Sequence, residues 1–118
     1  MWCGIDIGAS TAKVVIFDEG IVSKAVIPCR FDTAQTAEEV FESGLQRAGI
    51  TRMDIKYIVA TGYGRVLVPM ASKSVTEITC HARGAYYLNS KVRTVIDIGG
   101  QDSKGISLDD TGKVQEFV

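Results

Sequence analysis

Apolar and polar residues alternate in short runs over the first part of the chain. Trp2–Ile7, Ala12–Phe17 and Ile21–Ile27 are rich in β-branched and aromatic residues, and glycine-containing turns separate them. Pro28 ends the third run, because proline cannot donate a hydrogen bond to a central strand of a sheet. The pattern therefore predicts three short strands that follow one another as a meander.

A helical period follows the meander. Apolar residues recur at the spacing of one helix face, at Ala37, Val40, Phe41, Gly44, Leu45 and Ala48. Thr36 and Glu39 have the spacing of a capping box, in which each side chain satisfies a free backbone amide at the start of a helix. Gly49 follows the last apolar position and is typical of a left-handed cap. We therefore predict a helix that begins near Thr36 and ends at Gly49.

The rest of the chain alternates between strand and helix. Three further strands are predicted at Ile55–Ala60, Thr94–Ile98 and Gly105–Leu108. Between the first two, Ser74 and Glu77 repeat the capping-box spacing, and an apolar helix face continues to about Asn89. The predicted order is β-β-β-α-β-α-β-β, which indicates an α/β protein with a mixed sheet and helices packed on it.

The composition narrows the class of protein. The 118 residues suit a single domain, and 46% hydrophobic with 23% charged residues is typical of a globular protein. The formal net charge of −1 excludes a broad basic field for nucleic acid or an anionic membrane. The three cysteines are widely spaced without a Cys-x-x-Cys pair, which argues against a disulfide framework and a zinc ribbon. No apolar run approaches the roughly 20 residues of a membrane span. We therefore expect a cytoplasmic protein that binds neither nucleic acid nor a membrane.

The most informative feature is an internal repeat. Ile5–Lys13 and Ile96–Lys104 both read I-D-I-G-x-x-x-x-K, with five identities in nine positions. Each copy combines a predicted strand, a glycine turn and the start of a second strand. Such a match in the same structural role is rarely produced by chance. The repeat therefore predicts two hairpins of the same design.

The repeated hairpin has the chemistry of a phosphate clamp. An aspartate at the end of a buried strand is costly to bury unless a partner compensates its charge, and hydrated Mg²⁺ is such a partner. The glycine lets consecutive backbone amides turn toward an anion, and the lysine adds a positive charge at the same place. Two copies would provide two halves that face one another across a triphosphate.

The repeated hairpin has one simpler interpretation, and two other phosphate-binding motifs are excluded. Asp6 or Asp97 could cap its own turn instead of facing a metal. The P-loop sequence G-x-x-x-x-G-K-[ST] is absent, and the turn leads into a strand instead of a helix, which excludes a Rossmann fingerprint. Phosphate binding by paired hairpins is the favoured hypothesis.

Four stretches of the chain resemble one family of nucleotide-driven activators. They are residues 4–13, 60–65, 76–82 and 95–104, which run in order over almost the whole chain. The paired hairpins resemble the actin, heat-shock-chaperone and sugar-kinase superfamily. The I-D-I-G-G-Q-D-x-K stretch and the T-G-Y-G-R loop are more specific. They resemble the activators of 2-hydroxyacyl-CoA dehydratases and benzoyl-CoA reductases, the BadF/BadG/BcrA/BcrD-type ATPases.

The resemblance implies a fold and a site. The fold would be a ribonuclease H-like (actin-like ATPase) domain over residues 1–92, followed by the opening hairpin of a second, related domain over residues 93–118. Asp6 and Asp97 would face Mg²⁺ through its waters. The phosphate-binding residues would be Gly8, Ala9, Ser10, Thr11 and Lys13 on one side and Gly99, Gly100, Gln101 and Lys104 on the other. No residue is assigned to orienting the hydrolytic water.

The resemblance also implies cofactors and partners. ATP or ADP with Mg²⁺ would bind in a cleft between the two domains, and hydrolysis would drive an electron into a CoA-ester dehydratase or reductase. Members of the family are homodimers in which a [4Fe-4S] cluster bridges the subunits. None of the cluster ligands is expected in this chain, since the cluster-ligating stretch would follow Val118 in a longer protein.

Other functions stay open from the sequence. A sugar or small-acid kinase of the same fold would need a substrate-side base, for which Asp54 is the only acid between the first helix and the fourth strand. A non-enzymatic actin-like or chaperone-like module would use ATP only as a switch. An excised domain would fold without activity.

Several other polar residues have a structural and a functional interpretation. Cys3, Cys29 and Cys80 are interpreted as small hydrophobic residues. Glu77 and His81 are four residues apart on the second helix, which favours a helix-face ion pair or a surface contact over a metal site. Arg65 either lines the cleft or is a solvated loop residue.

Overall fold

The structure is a computed structural model that describes all residues, from Met1 to Val118. Its contacts group the chain into two compact units, Met1–Val75 and Thr76–Val118. The second helix lies in the second unit, where it packs on the hairpin that follows it. The division predicted at residues 92 and 93 refers to the domains of a complete nucleotide-binding fold, and it stays a prediction.

The first unit contains a five-stranded mixed sheet. Its strands are β1 (Trp2–Ile7), β2 (Thr11–Phe17), β3 (Ile21–Pro28), β4 (Tyr57–Thr61) and β5 (Lys73–Ser74), in the spatial order β3-β2-β1-β4-β5. β1 and β3 lie antiparallel to β2, whereas β4 runs parallel to β1 and to β5. The meander and the mixed sheet are confirmed. The sequence does not predict β5, because two residues are too few to show an alternation.

A helix, α1 (Thr33–Ala48), packs on this sheet and begins earlier than predicted. The capping residue is Asp32, whose Oδ1 accepts hydrogen bonds from the amides of Ala34 (2.9 Å) and Gln35 (3.2 Å). Thr36 instead lies inside the helix, where its hydroxyl donates to the carbonyl of Asp32. The predicted capping box is therefore wrong, because the carboxylate of Asp32 takes the free amides of the first turn.

Two other element ends follow from local chemistry. Gly49 ends α1 as predicted, with a φ of 69° in the left-handed region. β4 begins at Tyr57 instead of Ile55, because Ile55 closes a 3-10 turn over Arg52–Asp54. A second turn of this kind covers Arg65–Leu67.

The core of the first unit lies between α1 and one face of the sheet. Its buried residues are Cys3, Ile5, Ile7, Ala12, Val14, Ile16, Ala25, Ala37, Val40, Phe41, Leu45, Ile58, Ala60 and Val68. Since side chains alternate along a strand, Asp6, Lys13 and Thr61 point to the opposite face. The alternation thus places three polar side chains of adjacent strands side by side, away from the apolar core.

The second unit consists of a helix and a three-stranded antiparallel sheet. α2 (Glu77–Leu88) is followed by β6 (Thr94–Ile98), β7 (Ser103–Leu108) and β8 (Val114–Phe117), and the strands pair in that order. Ala82, Ile106 and Leu108 form its small core. The sequence does not predict β8, since only its first and last residues are apolar.

The start of α2 differs from the prediction. The helix begins at Glu77 after Thr76, and Ser74 does not cap it. Ser74 lies in β5, and its hydroxyl donates to the carbonyl of Arg65 at 3.3 Å. Its side chain is therefore engaged in the first unit. Neither helix has the length and the apolar composition needed to cross a lipid bilayer.

Candidate functional site

The two copies of the repeat form hairpins of the same design. β1 pairs with β2 so that Asp6 lies opposite Lys13, and β6 pairs with β7 so that Asp97 lies opposite Lys104. Directly opposite residues of an antiparallel pair point to the same face of the sheet. The predicted hairpin geometry is confirmed, and it places one acid and one lysine near the turn of each hairpin.

The turns close in the same way in both hairpins. The amide of Gly8 donates to the carbonyl of Thr11 at 3.0 Å, and the amide of Gly99 donates to the carbonyl of Asp102 at 2.8 Å. The residues at the two tips are exposed, namely Ala9, Ser10, Gly100 and Gln101. Consecutive amides in a turn can form an anion-binding concavity, and the predicted phosphate-binding residues thus lie at two accessible turns.

Lys13 lies over the first turn. Its Nζ is 3.6 Å from Oδ2 of Asp6 and donates to the carbonyl of Thr11 at 3.2 Å. A Cβ at Gly8 would lie 3.0 Å from this Nζ and 3.1 Å from the carbonyl oxygen of Thr11. Glycine at this position therefore makes room for the lysine to cross the turn. The side chains of Lys13 and Asp6 are 39% and 33% exposed, so both are accessible to a ligand.

Cys29 supports the same turn. Its backbone amide donates to the carbonyl of Ser10 at 2.9 Å, and its thiol donates to the carbonyl of Gly8 at 3.4 Å. The interpretation of Cys29 as a small hydrophobic residue is therefore incomplete, since it also holds the turn through two polar contacts. Its position directly after the strand that pairs with β2 is the one signal that could have identified this role.

The loop after β4 lies against the end of β1. β4 runs parallel to β1 with Thr61 beside Asp6. Gly62 has a φ of 91°, and a Cβ there would collide with Oδ1 of Asp6 and with the carbonyl of Ile7. The amide of Gly64 donates to the same carbonyl at 3.0 Å. The two glycines thus let the loop approach the carboxylate that the repeat supplies.

Thr61 is a candidate that sequence reasoning misses. Its Oγ1 is buried and has no hydrogen-bond partner, although buried polar atoms almost always have one. The strand register places it beside Asp6, on the face opposite the core. One signal in the sequence could have identified Thr61. It is a threonine that follows an apolar, central strand and directly precedes a Gly-x-Gly loop. This hydroxyl, the carboxylate of Asp6 and the ammonium of Lys13 fit a phosphate group with hydrated Mg²⁺.

Two other sequence candidates have local structural roles. Arg65 is half-buried, and its Nη1 donates to the carbonyl of Gly62 at 3.1 Å, which braces the loop from within. Asp54 accepts a hydrogen bond from the amide of Thr51 at 2.9 Å and caps the 3-10 turn. Asp54, the candidate base of the kinase alternative, therefore stabilises its own turn.

The second hairpin differs from the first in its charge partners. Nζ of Lys104 lies 3.0 Å from Oδ1 of Asp102, and this hydrogen bond raises the pKa of Lys104 above its ordinary value. Oδ2 of Asp97 is instead 3.4 Å from Nε2 of His81 on α2. His81 therefore lies beside Asp97 of β6, and the ion pair considered between Glu77 and His81 is not present.

The cysteines do not form a metal site. Cys3 is buried in the core of the first unit, where burial raises the pKa of its thiol to about 12. Nowhere in the structure do three or more His, Cys, Asp or Glu side chains gather so that they could hold a metal ion. These residues do not fit an iron–sulfur cluster, which needs several cysteine thiolates at one place. Hydrated Mg²⁺ needs only one or two protein carboxylates beside the phosphates, and each hairpin carries one carboxylate near its turn, Asp6 in the first and Asp97 in the second.

Comparison with known proteins identifies relatives of this chain. The family model of the BadF/BadG/BcrA/BcrD ATPase family matches residues 3–118. The chain is 41% identical over 116 residues to the activator of lactoyl-CoA dehydratase of Anaerotignum propionicum, covering 97% of this chain and 44% of the relative. It is 34% identical over 120 residues to a benzoyl-CoA reductase subunit from Thauera aromatica, covering 97% and 42%. The chain thus spans less than half the length of the curated relatives it matches.

Solved structures show the same relationship. The activator of the 2-hydroxyisocaproyl-CoA dehydratase from Clostridium difficile, solved with bound ADPNP, matches with a TM-score of 0.91 and 39% identity. The match covers 99% of this chain and 44% of that one. A glucokinase of the ROK family from Streptomyces griseus matches with a TM-score of 0.60 and 16% identity over 97% of this chain and 46% of that one, which is a likeness of fold alone. The fold inferred from the hairpins, that of actin-like ATPases and sugar kinases, is confirmed.

Proposed function

Because this chain belongs to the BadF/BadG/BcrA/BcrD ATPase family, we propose that it is the N-terminal, phosphate-binding part of an ATP-hydrolysing activase. The proposal is carried by the likeness to an activator structure with bound ADPNP, which covers 99% of this chain and therefore both hairpins. In the whole protein, hydrolysis drives an electron into a CoA-ester dehydratase or reductase. The relatives support this part, since they are named for lactoyl-CoA dehydratase and benzoyl-CoA reductase.

The two hairpins are assigned to the two sides of one nucleotide. Asp6 and Asp97 face Mg²⁺ through its water molecules. The residues proposed to bind the phosphate oxygens are Gly8, Ala9, Ser10, Thr11 and Lys13 in the first hairpin and Gly99, Gly100 and Gln101 in the second. Lys104 contributes less than Lys13, because its ammonium group is already engaged by Asp102.

The residues of the first hairpin supply positioning and charge. Mg²⁺, when bound, neutralises charge on the β- and γ-phosphate oxygens. The amides of the turn orient those oxygens, and Lys13 balances the negative charge that grows on the leaving oxygen as its bond to the γ-phosphorus breaks. The carboxylate of Asp6 accepts hydrogen bonds from the metal's waters and so fixes their orientation. The phosphoryl group passes to water, which leaves ADP and phosphate.

A homodimer, a [4Fe-4S] cluster and a cytoplasmic setting belong to the proposal for the whole protein. The cysteines of this chain do not gather into a ligand set, so no electron-transfer step is assigned to them.

Calorimetry on the 118-residue chain tests the phosphate site. We expect ADPNP to bind more tightly with Mg²⁺ than with EDTA, because the metal's waters link the phosphates to Asp6. Asp6→Asn removes the charge of the carboxylate and should reduce this Mg²⁺ enhancement about tenfold, the value of a charge-assisted contact of about 1.4 kcal/mol. Asp18→Asn is the control, since Asp18 is an exposed acid in the turn between β2 and β3.

Two results would contradict this assignment. A wild-type chain that does not bind ADPNP with or without Mg²⁺ has no phosphate site of the proposed kind. An Asp6→Asn variant with the same Mg²⁺ enhancement as wild type would remove Asp6 from the site.

A further inference from the structure

The two hairpins are alike in sequence but differ in what faces their aspartate. In the first, Lys13 of the hairpin itself lies 3.6 Å from Asp6. In the second, the corresponding Lys104 lies 3.0 Å from Asp102, which stands where the first copy has Thr11. The carboxylate of Asp102, in place of the hydroxyl of Thr11, thus competes with Asp97 for the ammonium group of Lys104.

α2 supplies the partner that the second hairpin lacks. Nε2 of His81 lies 3.4 Å from Oδ2 of Asp97, with side chains that are 39% and 21% exposed. The neighbouring Ala82 is buried and packs with Ile106 and Leu108 of β7. This packing fixes the helix against the hairpin, so the backbone of His81 is held in place beside Asp97.

The other charges near Asp97 do not replace this contact. Glu77 lies one turn before His81 on α2 and is close enough to Lys104 to contribute to its raised pKa. Asp102 is the second acid of the group, and it already binds Lys104. Without His81, the carboxylate of Asp97 would share its surroundings with two acids and one engaged lysine.

We propose that His81 is a positioning residue for Asp97, which holds the carboxylate in the orientation that receives the Mg²⁺ waters at the second hairpin. The inference rests on the proposed phosphate site and adds the element that sets its second aspartate. Asp6 takes its orientation from its own hairpin, whereas Asp97 takes it from a helix. A displacement of α2 would therefore change the second half of the site and leave the first half unaltered.

The contact itself can be tested in the full chain without nucleotide. His81 is the only histidine, so its ring resonances in an NMR spectrum need no assignment. Asp97→Asn should shift these resonances, whereas Glu116→Gln, at an exposed position of β8, should not. Ring resonances that do not respond to Asp97→Asn would overturn the proposal.

The role is tested by calorimetry with ADPNP. His81→Ala should lower the Mg²⁺ enhancement of ADPNP affinity by about fivefold, because Asp97 loses the side chain that lies 3.4 Å from its carboxylate. Adding Asp102→Asn to His81→Ala releases Lys104 to turn toward Asp97, so the double variant should recover most of the enhancement. Arg83→Ala, an exposed position on the same helix, is the matched control and should behave as wild type.

The possible outcomes separate the two proposals. Thermal unfolding followed by circular dichroism reports on folding. Where His81→Ala unfolds at a lower temperature, His81→Phe takes its place, because it keeps a ring of similar size without a ring nitrogen, and it should show the same fivefold loss. If wild type shows the enhancement and the histidine variant keeps all of it, the positioning role is overturned and the phosphate site stands. A wild type without any enhancement overturns both.

Discussion

The buried hydroxyl of Thr61 has opposite consequences for folding and for binding. A buried hydroxyl without a partner destabilises the folded chain, whereas a methyl group of the same shape does not. Thr61→Val should therefore raise the free energy of unfolding by about 1 kcal/mol, measured by urea denaturation. The same substitution should weaken the binding of ADPNP with Mg²⁺ in calorimetry, because the polar set beside Asp6 loses one member.

Thr36→Val is the matched control for this substitution. Thr36 is also buried, but its hydroxyl donates to the carbonyl of Asp32 at 3.0 Å and accepts from the amide of Arg30 at 2.8 Å. Its loss should lower the free energy of unfolding by about 1–3 kcal/mol, because the amide of Arg30 loses its hydrogen-bond partner. Equal destabilisation by the two substitutions would mean that Thr61 has a hydrogen-bond partner in solution.

The three cysteines should differ in reactivity. Cys3 is 4% exposed and burial raises the pKa of its thiol to about 12, whereas Cys29 and Cys80 are partly exposed. Since the thiolate is the nucleophile, iodoacetamide near neutral pH should alkylate Cys29 and Cys80 in the folded chain and all three cysteines in urea. Mass spectrometry counts the modified thiols. Rapid alkylation of Cys3 without urea would contradict the burial of β1 against α1.

At the scale of elements, α1 lies so close to the sheet that one of its positions has no room for a side chain. A Cβ at Gly44 would lie 2.8 Å from Cγ1 of Val14, and the hydroxyl of Ser23 donates to the carbonyl of Gly44 at 2.8 Å. Gly44→Ala should lower the free energy of unfolding by about 1–3 kcal/mol, despite the higher helix propensity of alanine.

Gly84→Ala in α2 makes the same substitution without the clash. No atom outside the local helix lies within 4 Å of a Cβ at Gly84. Only the helix propensity changes, so the free energy of unfolding should rise by about 0.5–1 kcal/mol. Urea denaturation of both variants measures the difference, and equal effects would contradict the close packing of α1.

The ends of the helices are predicted less well from the sequence than the helices themselves. Both predicted capping boxes were wrong, although both helices were found. A helix period reflects the burial of a whole face, which many residues specify together. A cap depends on one side chain, and in α1 Asp32 reaches the free amides that Thr36 was expected to take. In α2, Ser74 is held by the neighbouring strand β5 and its bond to Arg65.

At the scale of the whole molecule, the proposed role can be tested by exchange of segments. A chimaera in which this chain replaces the matching 44% of the Anaerotignum propionicum activator should hydrolyse ATP and activate lactoyl-CoA dehydratase. Asp97→Asn in the chimaera should slow hydrolysis by about tenfold or more, because the second hairpin loses its carboxylate charge. Phosphate release and the loss of lactoyl-CoA are the two measurements.

The chimaera also separates activase function from nucleotide binding. Circular dichroism establishes that it is folded, and calorimetry establishes that it binds ADPNP. A folded chimaera that binds ADPNP but neither hydrolyses ATP nor activates the dehydratase would show that this chain binds nucleotide for another purpose.

Six of the eight strands, both helices and the repeated pairing of acid, glycine turn and lysine are predicted from the residues alone. These features depend on residues that are close together along the chain. Burial of one face sets the spacing of apolar residues in each helix or strand, and the length of the turn sets which residues lie opposite each other in a hairpin. Three other features depended on the fold: Thr61 beside Asp6, Cys29 beneath the first turn, and His81 against Asp97. Parallel strand pairing and the packing of a helix on a hairpin join residues that are far apart in the chain, and no local pattern records which of them will meet.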